Sequence, residues 1–272
     1  MTFRAACVQL RSSDDVTENI RETVRLVREA AARGASFVAT PENTTLMAQD
    51  GGAKLAGSFD EAQDPALPVF ARLANELNIW LLIGSLAIKV SQAKTANRSF
   101  LFAPDGSVAA RYSKIHLFDV ELASGEVYRE SNTVAGGDQA VVADTVWGRI
   151  GLTICYDLRF PQLYRKLAQK GAFLFTVPSA FTVPTGSAHW HVLLRARAIE
   201  NGAFVVAPAQ GGVHANGRRT YGHSLIVSPW GEVLAEAGTD PGVIVADIDP
   251  ALSKQAREKV PNLQHDRIFS GP

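Results

Sequence analysis

The chain has 272 residues, of which 46% are hydrophobic, and its 27 basic and 27 acidic side chains give a formal net charge of zero. This balance gives no reason to expect nucleic acid or an anionic membrane as a partner. No segment has the roughly 18 uninterrupted apolar residues that a membrane span needs, and the presence of only two cysteines indicates a reducing compartment. We therefore expect a soluble, cytoplasmic α/β protein.

Short apolar runs alternate with helical patterns along the whole sequence. The predicted elements are, in order, a strand over 3–10, a helix over 16–32, a strand over 36–40, a helix over 65–77, strands over 80–88, 98–103 and 108–113, a long polar loop over 119–138, a strand over 150–154, a helix over 161–170, a strand over 173–178, a helix over 189–202, and strands over 204–209, 223–228 and 243–247. Crossover and hairpin links together predict mixed sheets with helices outside. The absence of an internal repeat or a linker favours a single domain over residues 1–272.

Three polar side chains each follow a predicted strand directly: Glu42, Lys114 and Cys155. Strand ends are where an open α/β sheet usually places its chemistry. The three residues supply a general base, a cation and a nucleophile, a set that suits acyl transfer from an amide. The ammonium and the backbone N–H of Tyr156 would stabilise the oxyanion. Spacing alone leaves open that the charged residues are solvated loop residues and that the cysteine belongs to the core.

The segments around these three residues resemble the three signature segments of the nitrilase superfamily, the carbon–nitrogen hydrolases. The segments are residues 41–43, 112–119 and 154–161, and the resemblance extends from the first strand to residues 229–233. It implies a four-layer αββα sandwich that usually pairs into a homodimer or a higher homo-oligomer. It also implies Glu42, Lys114 and Cys155 as the catalytic triad, a thioester intermediate, and no cofactor.

Four further residues are predicted to position the substrate: Glu130, Tyr156, Arg159 and Thr185. Glu130 matches a second glutamate of the family. Arg159 follows the nucleophile closely and could hold a carboxylate with two hydrogen bonds, while Thr185 lies in a predicted Pro-Thr-Gly turn. The alternatives are an exposed loop acid for Glu130, an ion pair of Arg159 with Asp157, and an ordinary turn residue for Thr185.

Residues 181–190, 193–201 and 221–224 resemble the amidase-like Nit branch of the superfamily, whose typical activities are ω-amidase and deaminated-glutathione amidase. Residues 210–214 favour the second activity slightly. We therefore expect a cysteine-dependent hydrolase of a small linear amide that carries a carboxylate, with release of ammonia. An N-carbamoyl amino acid hydrolase is the alternative, followed by a nitrile hydrolase. Residues 43–47 depart from the branch pattern and leave the acyl group open.

Other chemistry-bearing residues favour simpler interpretations. His189 and His191 stand two apart on a predicted helix and therefore point to different faces, so no metal site is predicted. His116 is predicted at most to orient the neighbouring lysine, and Cys7 to lie in the core. A phosphatase cysteine would need an arginine where Pro161 stands. A non-catalytic scaffold would be expected to have lost a member of the triad, yet all three are present.

Overall fold

The computed structural model of the chain describes residues 1–121 and 125–271. Most of its strands belong to two large mixed sheets, with strands numbered in chain order. The first sheet contains β1 (Phe3–Gln9), β2 (Phe37–Ala39), β3 (Trp80–Lys89), β4 (Thr95–Phe102), β5 (Val108–Ser113), β8 (Val134–Ala135) and β17 (Gly242–Ile248). The second contains β9 (Val141–Thr145), β10 (Gly148–Leu152), β11 (Ala172–Thr176), β12 (Phe204–Ala207), β15 (Leu225–Val227) and β16 (Val233–Glu236).

Two hairpins, six α-helices and four short 3₁₀-helices complete the regular structure of the described residues. The hairpins are β6 (Asp119–Glu121) with β7 (Val127–Arg129), and β13 (Gly211–Val213) with β14 (Arg219–Tyr221). The helices are α1 (Val16–Ala32), α2 (Gly51–Ala56), α3 (Ala66–Leu77), α4 (Pro161–Gln169), α5 (Val183–Asn201) and α6 (Pro250–Lys259). None of the helices in this part of the chain combines the length and the apolar composition that a bilayer span requires.

Both large sheets follow the same plan. The first runs β17-β1-β2-β3-β4-β5, with β8 beside β4, and the second runs β16-β15-β12-β11-β10-β9. The central strands β1, β2 and β3 are parallel, as are β10, β11 and β12, and antiparallel strands flank each set. Since β5 runs antiparallel to β4 and β4 to β3, the ends of β2 and β5 lie at the same edge of the first sheet.

The layers follow from the alternation of side chains along the strands. In β1, Cys7 belongs to the core between the two sheets, whereas Val8 belongs to the core beneath α1 and α3. Phe3 stacks on Trp147 of the facing sheet, with ring centroids 3.9 Å apart. On the opposite side, α4 packs on the second sheet and Tyr164 meets Phe175 edge-on. This order of helix, sheet, sheet and helix confirms the predicted αββα sandwich.

The element boundaries differ from the prediction at several places. Helix α5 begins at Val183 rather than at 189, because Pro184 occupies its first turn, where the missing N–H of proline removes no helical hydrogen bond. Thr185 therefore lies in the first turn of a helix and not in a separate turn. The predicted loop over 119–138 contains β6, β7 and β8, and its residues 122–124 lie outside the described residues. Helices α2 and α6 have no counterpart in the prediction.

Candidate active site

The structure brings the three predicted residues of the triad to one buried cluster. Glu42 follows β2 and Lys114 follows β5, and the Lys114 Nζ lies 3.0 Å from the Glu42 Oε1. Cys155 follows β10 on the facing sheet. The exposed fractions are 4% for Glu42, 2% for Lys114 and 8% for Cys155, and all three line one cavity of about 860 Å³.

The backbone at Cys155 adopts a conformation that is uncommon for any residue except glycine. Its φ is +49°, in the left-handed region, and its N–H donates to the Pro178 carbonyl over 2.9 Å. Asp157 fixes the turn that follows, since its buried carboxylate accepts hydrogen bonds from the Ile154 N–H at 2.9 Å and the Tyr112 hydroxyl at 2.6 Å. Backbone conformations of this kind persist where surrounding contacts enforce them, and they are common at functional sites.

Glu42 lies where β2 and β3 come close together. A Cβ at Gly84 would lie 2.0 Å from the Thr40 carbonyl oxygen, so only glycine permits this approach. The Glu42 Oε1 accepts a second hydrogen bond, from the Asn97 Nδ2 at 2.8 Å. The Gln210 side chain donates to the Glu42 backbone carbonyl over 3.0 Å. These contacts hold the carboxylate in one orientation.

Lys114 lies between two carboxylates. Its Nζ is 2.8 Å from the Glu130 Oε2, in addition to the contact with Glu42. Burial alone would lower the pKa of Lys114, but the charges of Glu130 and Glu42 outweigh it and raise that pKa well above the usual value. Lys114 is therefore a fixed cation beside the thiol of Cys155.

The thiol of Cys155 is protonated in the resting site. Burial raises its pKa, the charge of Glu42 raises it further, and Lys114 lowers it. For this thiol to act as a nucleophile it must lose its proton, and the Glu42 carboxylate is the neighbouring group that can accept it.

Glu130 lies closer to the lysine than an exposed loop acid would. Its Oε2 accepts hydrogen bonds from Lys114 and from the Phe118 N–H at 2.7 Å, and its Oε1 lies 3.3 Å from the Asn97 Nδ2. Burial works to raise the pKa of Glu130, but Lys114 and Lys54 outweigh it and lower that pKa to about 2.

This lowered pKa predicts how Glu130 affects stability. Because the pKa in the folded state lies below the ordinary 4.5, ionised Glu130 stabilises the fold above pH 4.5, and that contribution is lost as the pH falls toward 2. Glu130→Gln is expected to lower the free energy of unfolding near pH 7 by on the order of 3 kcal/mol. Urea unfolding between pH 7 and pH 3 should show the difference shrinking, whereas the exposed Glu258→Gln should show no such trend. A pH-independent difference would contradict the ion pair.

Two residues of the site were missed by the sequence analysis, Asn97 and Lys54. The Lys54 Nζ on α2 donates to the Asn43 Oδ1 over 2.8 Å. Burial lowers the pKa of Lys54, and the charges of Glu130 and Glu42 partly offset this effect. The site thus contains two ammonium groups, those of Lys54 and Lys114, and two carboxylates, those of Glu42 and Glu130. Neither residue follows a strand end or belongs to a recognised motif, so no sequence signal singled them out.

Arg159, Tyr156 and Thr185 all line the same cavity. The Arg159 guanidinium lies 3.3 Å from the His189 Nδ1 and over the rings of Tyr156 and Phe181, at 5.8 and 5.6 Å from their centroids. The alternative ion pair with Asp157 is not formed, because the Asp157 carboxylate binds Tyr112, His116 and the Ile154 N–H instead.

The structure places His116 differently from the prediction. Its Nδ1 lies 2.7 Å from the Asp157 Oδ1, and its ring stacks on Phe160 with centroids 3.5 Å apart. His116 therefore supports the turn that carries Cys155 and does not orient Lys114. Cys7 lies in the core between the sheets, as predicted, and burial raises the pKa of its thiol.

The outer part of the cavity carries further cations that the sequence did not indicate. Arg129, Arg218 and Arg219 line it together with the triad. The Arg218 Nη2 donates to the Ala180 carbonyl over 3.3 Å, and its Nε is buried without a hydrogen-bond partner among the described residues. A cavity with this lining suits a small ligand that carries carboxylates.

Comparisons with known proteins find relatives along nearly the whole chain. A family model described as carbon-nitrogen hydrolase matches residues 4–258. The deaminated glutathione amidase of Synechocystis sp. (strain PCC 6803 / GT-S) is 42% identical over 98% of this chain and 98% of that protein. The human omega-amidase NIT2 is 36% identical over 98% of this chain and 95% of its own.

A solved structure shows the same fold. The crystal structure of the C. elegans NitFhit protein superposes with a TM-score of 0.91 and 36% sequence identity. The match covers 98% of this chain and 65% of that longer one.

Proposed function

This chain belongs to the carbon–nitrogen hydrolase family, and from that premise we propose that it hydrolyses a small linear amide bearing a carboxylate through a thioester on Cys155. The observation that carries the proposal is the contact of Glu42 with Lys114 in the buried cluster that also holds the Cys155 thiol. Both sheets contribute to this cluster, which supports treating residues 1–272 as one catalytic domain.

The first half of the reaction forms the thioester. The Cys155 Sγ attacks the amide carbonyl carbon while its proton passes to Glu42, and the carbonyl oxygen gains the negative charge. The Lys114 ammonium and the Tyr156 N–H stabilise that oxyanion. When the intermediate collapses, the carbon–nitrogen bond breaks and Glu42 returns the proton to the departing nitrogen.

The second half releases the acid. Water attacks the thioester carbonyl and gives a proton to Glu42, and the same two donors again stabilise the oxyanion. Collapse then breaks the carbon–sulfur bond, and the proton on Glu42 restores the thiol. Each step uses groups of this chain and water alone, so the reaction needs no metal or cofactor.

The substrate class follows from the relatives and the cavity. Both relatives are named as amidases, which favours the amidase over the carbamoylase or nitrile hydrolase. Deaminated glutathione has a substituted amide nitrogen, so its cleavage releases cysteinylglycine, whereas a primary amide such as α-ketoglutaramate releases ammonia. The cavity of about 860 Å³ and its outer arginines suit the longer of these two substrates.

A substrate panel tests this proposal. The panel contains deaminated glutathione, α-ketoglutaramate, succinamate, an N-carbamoyl amino acid and a simple nitrile, each with wild type and Cys155→Ala. Released amine and released acid are both measured. Cysteine-dependent hydrolysis of any of the first three supports the proposal, and deaminated glutathione is expected to give the highest kcat/KM. Turnover of only the carbamoyl compound or the nitrile would contradict it.

Arg159 is proposed to bind the substrate carboxylate. Arg159→Gln is expected to raise KM for succinamate by roughly tenfold or more and to change kcat less, because the charge pair forms before the transition state. The neutral propionamide should show no such rise. Arg149→Gln, which removes an arginine paired with Asp144 outside the cavity, is the matched control. An equal effect of Arg159→Gln on both amides would assign Arg159 a structural role.

We also propose that the chain works as a homodimer or a higher homo-oligomer in the cytoplasm. The support is its family membership and the two free cysteines, which suit a reducing compartment.

A further inference from the structure

Three side chains from separate elements converge beside α5, away from the triad. His191 lies on α5, His223 lies just before β15, and Glu236 ends β16. The Glu236 Oε1 is 2.9 Å from the His191 Nε2 and 3.0 Å from the His223 Nδ1. The three potential ligand atoms all lie within 4.8 Å of one another.

The backbone and neighbours of His223 hold its ring in place. Its φ is +54°, its N–H donates to the Gly238 carbonyl over 2.8 Å, and its own carbonyl accepts from the Trp190 indole at 2.7 Å. Its ring stacks on Tyr221 with centroids 4.3 Å apart. The cluster is therefore preorganised, which lowers the entropic cost of binding a ligand.

We propose that His191, His223 and Glu236 form a Zn²⁺ site. Two imidazole nitrogens and one carboxylate oxygen are a donor set that zinc takes up, with the fourth position left to water. In the metal-free chain the Glu236 Oε1 accepts a hydrogen bond from each of the two imidazoles, so one carboxylate oxygen already lies between the two ring nitrogens. Zinc binding would exchange these two hydrogen bonds for bonds to the metal, because each imidazole must then carry its proton on the other ring nitrogen.

The sequence indicates the orientation of the two helix histidines but not the residues that meet His191. His189 and His191 do face apart, since His189 contacts Arg159 and His191 contacts Glu236. The second histidine comes from outside the helix, in the segment before β15, and sequence spacing did not indicate that contact.

Zinc at this site would tie α5 to the segments that follow β14. Thr185 in the first turn of α5 and Arg219 on β14 both line the cavity. The metal would therefore stabilise the positions of these two elements at the cavity without contacting the triad. Because a ligand that binds only the folded chain stabilises it, we expect bound zinc to raise the melting temperature.

Equilibrium dialysis against ZnCl₂ tests the proposal, with Cys155→Ala as the parent chain because a thiol also binds zinc. The expected result is one Zn²⁺ per chain and a higher melting temperature. Glu236→Gln, His191→Gln and His223→Asn should each weaken binding by roughly 100-fold. Asparagine is chosen at 223 because it tolerates the left-handed backbone. His265→Gln, at an exposed position outside the cluster, is the control and should bind like the parent.

Either of two results with zinc alone, and a third with magnesium, would overturn the site. One is the absence of bound zinc at about 0.1 mM, a concentration well above the dissociation constants of protein zinc sites. The other is unchanged affinity in the three cluster variants, with circular dichroism showing that they are folded. MgCl₂ should not compete, because magnesium prefers oxygen ligands, and equal competition would likewise contradict the proposal.

Discussion

Replacing Cys155 by alanine is expected to reduce amide turnover by at least roughly 10⁴-fold, because the variant cannot form the acyl intermediate. The fold should remain, with the free energy of unfolding changed by about 1 kcal/mol or less, since only one sulfur atom leaves the cavity wall. The left-handed φ of +49° strains alanine and cysteine alike, as both carry a Cβ. Steady-state kinetics and urea unfolding measure the two quantities.

Cys7→Ala is the matched control, because it removes the other thiol of the chain from the core between the sheets. This variant should lose some stability and keep its turnover per folded chain. Retained hydrolysis in Cys155→Ala, or its loss in folded Cys7→Ala, would contradict the assignment of the nucleophile.

Replacing Lys114 by alanine is expected to have the second largest effect, on both stability and rate. It leaves Glu42 and Glu130 buried together without their shared cation, and breaking a buried pair in this way costs roughly 3–5 kcal/mol. The kcat should fall by roughly 10² to 10³-fold and KM much less, because the charge is needed mainly in the transition state. Urea unfolding and steady-state kinetics with deaminated glutathione or succinamate measure both.

Lys54→Ala provides the comparison for this prediction. The Lys54 Nζ donates to the neutral Asn43 side chain, so its loss should cost less stability than the loss of Lys114. Lys114→Arg keeps the charge and separates the two effects, with stability largely restored and kcat still reduced. A rise in KM alone for Lys114→Ala would make Lys114 a binding residue, and unchanged stability would contradict its pairing with both carboxylates.

The part of the site that could be predicted lies at strand ends. Glu42, Lys114 and Cys155 each follow an apolar run, and β2 and β5 end at the same edge of one sheet. Local sequence thus located the three residues. The two sheets face each other, and this arrangement brings Cys155 close to Glu42 and Lys114. It was expected only from the resemblance to the family, because no local sequence pattern contains it.

The residues that were missed act through contacts between distant segments. Asn97 lies within β4, where alternation marks it only as a strand residue, yet it donates to the Glu42 carboxylate. Lys54 belongs to the short helix α2, which has no strong periodic pattern. The contact of His223 with Glu236 likewise depends on how β15 and β16 pair. Tertiary packing determines such contacts, and they leave no periodic pattern in the sequence.

Partitioning with hydroxylamine tests directly whether the acyl group passes through a thioester on Cys155. Succinamate and N-methylsuccinamate carry the same acyl group and different leaving amines. If both form the same thioester, the ratio of succinyl hydroxamate to succinate at a given hydroxylamine concentration must be equal for the two substrates. That equality is the predicted result. Ratios that differ with the leaving amine, or hydrolysis without any hydroxamate, would contradict a shared thioester intermediate.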